Sequence, residues 1–153
     1  NEVYEKLQKG DYLLQCFAMF VPYVTKITYV DGVPMLDGGI ADSIPIQYAM
    51  DQGYEKLVVV LTRNHGYRKK ESRMPLARAF YKKYPELQKA LSKRNSVYNR
   101  TMELIEKLEQ EGRISVIRPI KPIQVGRMEK DTARLMALYQ EGYEIAKEFI
   151  SRM

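Results

Sequence analysis

Residues 56–62 read KLVVVLT. Five consecutive apolar side chains, Leu57 to Leu61, show no polar alternation. That pattern predicts a parallel strand covered on both faces, because such a strand has no solvent side to make polar. Just upstream, SIPIQYAMDQG (43–53) predicts a helix, with Asp42 or Ser43 as its cap, Pro45 in its first turn and Gly53 at its end. Further upstream, ITYVDGVPML (27–36) holds two extended runs about Asp31–Gly32. Asp-Gly suits a two-residue type I′ turn, which needs positive φ at both positions. Pro34 places the second run at an edge or near a strand start. Strand, helix and buried strand make a βαβ unit, with the expected right-handed crossover.

Downstream, residues 75–111 are predicted to be mostly helical, with Pro75 and Pro85 each fitting a first turn. Val97, Thr101, Leu104 and Leu108 form one stripe, with Tyr98, Met102 and Ile105 beside it, and Gly112 ends the helix. RISVIRPI (113–120) predicts a further strand closed by Pro119, and IKPIQVGRMEK (120–130) a loop. Asp131 caps a last helix whose apolar face is Leu135, Leu138, Tyr139, Ala146, Phe149 and Ile150. Near the start, GDYLLQCFAMF (10–20) predicts a short apolar helix capped by Asp11. The alternation predicts an α/β domain, a mostly parallel sheet with helices on both faces. Within a single domain over 1–153, residues 1–62 form its core, 63–113 a basic helical region and 114–153 a C-terminal strand and helix.

Composition narrows the classes. A chain of 153 residues, 45% hydrophobic and 29% charged, suits one globular domain. No apolar run approaches the ~20 residues of a membrane span. No signal-peptide pattern opens the chain, and the lone Cys16 cannot form an internal disulfide. Cys16 is expected to be a buried structural thiol. A cytoplasmic protein is expected, with peripheral attachment at the inner membrane surface as an option. Asn99–Arg100–Thr101 matches a glycosylation sequon but falls in a helical pattern. The start at Asn1 suggests a piece of something longer.

The stretch PMLDGGIADSIP (34–45) carries the candidate chemistry. Asp37 falls at the carboxyl end of a predicted strand, the edge where ligands gather in open α/β sheets. Gly38 and Gly39 permit positive φ and a close approach of backbone or substrate. A plain turn explains the same residues, since Asp bonds its own following backbone. Ser43 is explained by helix capping, and His65, in RNHGYRKK, by a solvent-facing turn. Asp31, Asp37 and Asp42 are close in sequence, but Asp31 belongs to a hairpin and Asp42 to a helix start, so no metal site is expected.

YVDGVPMLDGGIADSIPIQYAMDQGYEKLVVVLTRNHGYRKK (29–70) resembles the second half of the bacterial patatin-like phospholipases. GRISVIRPIKPIQVGRMEKDTARLMALYQEGYEIAK (112–147) resembles the C-terminal region of one bacterial branch, and LLQCFAMFVPYVTK (13–26) extends the likeness. The resemblance implies a C-terminal portion of a patatin-like fold, and lipid acyl-ester hydrolysis by a Ser–Asp dyad without metal or organic cofactor. Asp37 matches the dyad aspartate, and Gly38 and Gly39 its glycines. The nucleophile is not in this chain, which has neither G-x-S-x-G nor a G-G-G-x-R-G loop. It would lie upstream, so the chain alone is expected to be inactive. The bulky run Cys16 to Val21 before Pro22, where relatives carry small residues, departs from the pattern. Without the upstream strands, a sheet edge and an apolar face would lose their cover, hence an expectation of homo-oligomers or of pairing with the nucleophile-bearing half.

Charge adds a rival. Of a net charge of +6, residues 63–100 carry +10 and the remainder −4. Arg68, Lys69, Lys70, Arg73, Arg78, Lys82, Lys83, Lys89, Lys93 and Arg94 are interleaved with Tyr67, Phe80, Tyr81 and Tyr84. Three explanations stand: a solvated helical face, docking on anionic lipid, and nucleic-acid binding, disfavoured because no recognition motif appears. The alternative function is thus a non-catalytic module binding anionic surfaces through 63–100.

Overall fold

A computed structural model describes residues 28–70, 81–126 and 129–152. The sequence expectations for Asp11, Cys16, Pro22 and Pro75 lie outside these. In chain order the described elements are β1 (Thr28–Val30), β2 (Val33–Met35), a 3₁₀ turn (Gly38–Ile40), α1 (Ile46–Asp51), β3 (Leu57–Val60), α2 (Pro85–Gln110), β4 (Ile114–Ile117) and α3 (Thr132–Ser151). The protein is therefore mixed helix and strand. Its chain divides into two compact units, residues 1–45 with 70–98 and residues 46–69 with 99–153, and α2 runs from the first into the second.

In the first unit, β1 and β2 pair antiparallel, with Tyr29 opposite Pro34 and Val30 opposite Val33. Asp31 and Gly32 both have positive φ, 51° and 77°, as a two-residue turn of this hand requires. Ile40, Tyr81 and Leu91 form the small core, with Leu36, Leu87 and Ala90 packed against it. Ile40 thus seats the turn that follows Asp37 against the first turns of α2. The hydroxyls of Tyr29 and Tyr84 lie 3.3 Å apart, tying the hairpin to the start of α2.

In the second unit, β3 and β4 run parallel, Leu57 opposite Ile114 and Val60 opposite Ile117. This corrects the predicted βαβ unit. β3 does not join β2; the two belong to different sheets, and the connection between the paired parallel strands contains α2. Local patterning marks a strand but says nothing of its neighbour, which is decided by contacts distant in sequence. The strand β3 also departs from expectation in cover. Leu57 and Val59 are half-buried, whereas Val58 and Val60 are exposed, Val60 by 70%. A run of valines is apolar on both faces whether or not both faces are covered.

Helix α2 begins at Pro85, whose missing N–H is no loss in a first turn. Met102, Ile105 and Leu108 are fully buried at helical spacing, with Tyr98 one turn earlier. Gly112 closes the helix with φ of 67°; its N–H reaches Glu109 O at 3.0 Å, and that of Arg113 reaches Leu108 O at 2.9 Å. Asp131 caps α3, its carboxylate accepting from the N–H groups of Ala133 and Arg134. The apolar face expected of α3 is only partly covered. None of its residues is fully buried, and Leu135, Tyr139 and Ile150 are exposed, while Leu138, Ala146 and Phe149 are half-buried.

Helix α1 starts later than its sequence signals suggested. Asp42 Oδ1 accepts from Ile44 N–H at 3.2 Å, a turn of its own before the helix, and Pro45 precedes the first helical residue. Gly53, with φ of 82°, ends α1 as expected.

Candidate functional site

Asp37 follows β2 by two residues and caps the 3₁₀ turn. It is half-buried, and its Oδ1 accepts from the N–H of Gly39 at 2.7 Å. The carbonyl of the same glycine faces the other way and takes two donors. Arg94 Nε, from α2, lies 3.0 Å away and Ser43 Oγ 2.9 Å. One glycine thus holds a carboxylate through its amide and is itself held through its carbonyl. Ile40 N–H and Ala41 N–H close the turn on the carbonyls of Asp37 and Gly38.

The two glycines do not use the positive φ expected of them. Neither has a positive φ; the glycines that do are Gly32, Gly53, Gly66 and Gly112 among the described residues. A Cβ on Gly39 would lie 3.2 Å from Asp37 Oδ1, so its bare α-carbon admits the chain's own carboxylate. A Cβ on Gly38 would meet nothing within 4 Å among the described residues. Ser43, read as a helix cap, spends its hydroxyl on Gly39 O and so braces the turn. His65 is exposed in the turn after β3, as its loop context suggested.

The basic run resolves into two kinds of charge. Arg68 is bonded to Glu106 through both guanidinium ends, at 3.0 and 2.6 Å. That pairing, above all, draws the Glu106 carboxyl down to about 2; burial opposes it, and the Gly66 N–H, at 3.2 Å, helps. Arg118, just past β4, pairs with Glu109, one helical turn along α2 from Glu106. Its side chain is only 10% exposed, and burial lowers its pKa against the pull of Glu106. Asn99, the sequon residue, clasps Lys69: its Oδ1 accepts from Lys69 N–H at 2.8 Å and its Nδ2 donates to Lys69 O at 2.9 Å. Lys82, Lys83, Lys89 and Lys93 are exposed.

A cavity of about 590 Å³ lies in the second unit at the amino ends of β3 and β4, lined by Met50, Tyr54, Leu57, Leu108, Arg113 and Ser115 among others. Asp37 does not line it. Among the described residues, no three His, Cys, Asp or Glu side chains converge as metal ligands would, and Asp31, Asp37 and Asp42 do not form such a group. Nor is any described helix long and apolar enough to cross a membrane.

Sequence inspection missed Arg94, Asn99 and Glu106. Arg94 lies 55 residues from Gly39 and had no local signal beyond belonging to a charge run. Glu106 is one of four acids, with Glu103, Glu109 and Glu111, directly behind the basic stretch, and that cluster was the available clue. A family described as a domain of unknown function (DUF6363) matches residues 84–153, covering all of α2, β4 and α3 and not Asp37. No curated protein and no solved structure matches the chain.

Proposed function

We propose that the chain is the C-terminal part of a patatin-like serine acyl hydrolase, an α/β protein in which Asp37 is the general base for a serine carried upstream. The supporting observation is the double restraint on the Asp37–Gly39 turn. A base must be held within about 2.6–3.2 Å of the oxygen whose proton it takes, which demands an immobile carboxylate. The Gly39 amide fixes Asp37 Oδ1, and Arg94 and Ser43 fix Gly39. Resemblance of the D-G-G stretch to the patatin-like phospholipases supplies the reaction class.

In this reading the serine hydroxyl attacks the ester carbonyl while Asp37 accepts its proton. The tetrahedral intermediate collapses, and the departing alcohol takes that proton from Asp37. An acyl-serine remains. Water then attacks it, Asp37 accepts a proton again and returns it to the serine oxygen as the acid leaves. No metal or organic cofactor takes part. The exposed Val58 and Val60 of β3 suit a parallel sheet that gains a further layer, with helices on both faces, from chain outside these residues.

The test uses the full-length protein. A fluorophosphonate is expected to label a serine outside the present sequence, and Asp37→Asn is expected to suppress labelling and ester turnover together. Turnover of a short acyl ester by this chain alone, abolished by Asp37→Asn, overturns the division of the dyad.

A further inference from the structure

We infer that the exposed lysines leading into and along the first turns of α2 dock the first unit on an anionic lipid membrane. This rests on the unit's own surface and not on the role of Asp37. The fold leaves lysines as most of the exposed charge in the described part of the basic run. Three of its four described arginines are half-buried and engaged: Arg94 on Gly39 O, Arg68 on Glu106, and Arg63 over the ring of Tyr67 at 4.9 Å, whereas Arg100 is exposed. Lys82, Lys83, Lys89 and Lys93 remain on the surface. Lys89 and Lys93 are four residues apart on one exposed helix face. The acid beside them, Glu86, lies 3.7 Å from Lys89, with both side chains mostly in solvent, where such a pair is weak.

Membrane is favoured over nucleic acid on two grounds. Lysine is a hydrated point charge on a flexible stem and responds to a smeared surface potential without needing a fixed geometry. Of the arginines, whose forks grip individual phosphates, Arg68 spends both ends of its fork on Glu106 and Arg94 its Nε–H on Gly39 O, which leaves Arg100 as the exposed one among those described in the run. The second ground is the aromatic pair. Tyr84 directly follows Lys83, and its hydroxyl meets that of the exposed Tyr29. Amphipathic phenol rings beside lysines are the side-chain set enriched at the membrane–water interface. Attachment is peripheral, since no described helix can span a bilayer.

The probe is cosedimentation of the chain with vesicles of phosphatidylcholine alone and with phosphatidylserine added. Binding to the serine-containing vesicles, lost at high salt, is expected. Lys89→Gln with Lys93→Gln is expected to weaken it roughly 25-fold, at about fivefold for each lysine. Lys82→Gln with Lys83→Gln should do the same from the other end of the patch. These positions are exposed, so circular dichroism and the denaturation midpoint should not move. Equal binding to both vesicle types, no binding, or unchanged binding of both double variants overturns the inference. So does tighter binding to single- or double-stranded nucleic acid than to the anionic vesicles at the same salt.

Discussion

Arg94 donates its Nε–H to the carbonyl oxygen of Gly39 at 3.0 Å, joining the middle of one helix to the turn that presents Asp37. The bond is charge-assisted and part-buried, and such bonds contribute about 1.5–3 kcal/mol. Ser43 Oγ shares the same acceptor, so Gly39 O is not stranded when Arg94 is lost. Arg94→Met, which keeps the aliphatic stem, is expected to cost about 1.5 kcal/mol in urea denaturation. Arg94→Lys is expected to recover only part, because an ammonium cannot reproduce the in-plane Nε donor. A midpoint unchanged by Arg94→Met would show that the bond is not formed in solution.

Glu106 makes stability depend on acid. Its carboxyl titrates near 2 in the folded protein, below the ordinary 4.5, chiefly because Arg68 donates to both its oxygens. A depressed folded pKa means that the unfolded chain binds the proton first. The contribution is therefore complete above about pH 5 and drains away as the pH falls through 4.5 towards 2. Its size is at most about 3 kcal/mol. Urea midpoints measured from near neutrality down to about pH 3 should fall less steeply for Glu106→Gln than for the parent chain. Parallel slopes would show that other carboxylates carry the acid sensitivity.

How far these features could be read in advance depends on the distance over which each is decided. Asp31–Gly32 is settled within two residues by backbone sterics, and the hairpin appears where expected. Pro85 and Gly112 mark the ends of α2 for the same local reason. Asp131 is legible as a cap because its partners are the next few amides. The strand β3 was legible as a strand, but not its pairing with β4, some 55 residues on, nor the exposure of Val58 and Val60. The candidate site divides the same way. Asp37 stands out from its glycines, while Arg94 and Asn99 act on Gly39 and Lys69 across long separations that no local pattern records.

Asn99 substitutes for a backbone partner. Its amide meets both the N–H and the C=O of Lys69, as a paired strand would. Asn99→Ala removes both bonds from part-buried groups and is expected to cost about 1–3 kcal/mol. Asn99→Asp keeps the acceptor for Lys69 N–H but sets a carboxylate against Lys69 O, so it should fall no closer to the parent than halfway. Denaturant midpoints with unchanged m-values would read both losses as native-state effects. Equal stability of all three proteins would mean that water serves Lys69 as well as Asn99 does.

The two glycines after Asp37 should respond differently to a methyl group. Gly39→Ala brings a Cβ to 3.2 Å from Asp37 Oδ1 and strains the bond that the carboxylate makes to the Gly39 amide. A cost of about 1–3 kcal/mol is expected, as for other forced contacts. Gly38→Ala meets nothing within 4 Å among the described residues and does not need positive φ. It should change stability by no more than about 0.5 kcal/mol. Thermal or urea denaturation of the two variants decides it, and a reversed order would show that the turn is built otherwise.

Asp37 itself has two separable duties, and two substitutions pull them apart. Its Oδ1 accepts the Gly39 N–H, a capping bond that an asparagine oxygen makes as well. Asp37→Asn should therefore leave stability within about 0.5 kcal/mol of the parent, whereas Asp37→Ala should lose about 1 kcal/mol. Proton acceptance is another matter, because a neutral amide is no base at any pH of interest. In the full-length protein Asp37→Asn should lower ester turnover by about 10²–10⁴-fold while the denaturation curve stays in place. Turnover that tracks stability instead, falling with Asp37→Ala and surviving Asp37→Asn, would make Asp37 a cap and nothing more, and would leave the D-G-G stretch as turn chemistry.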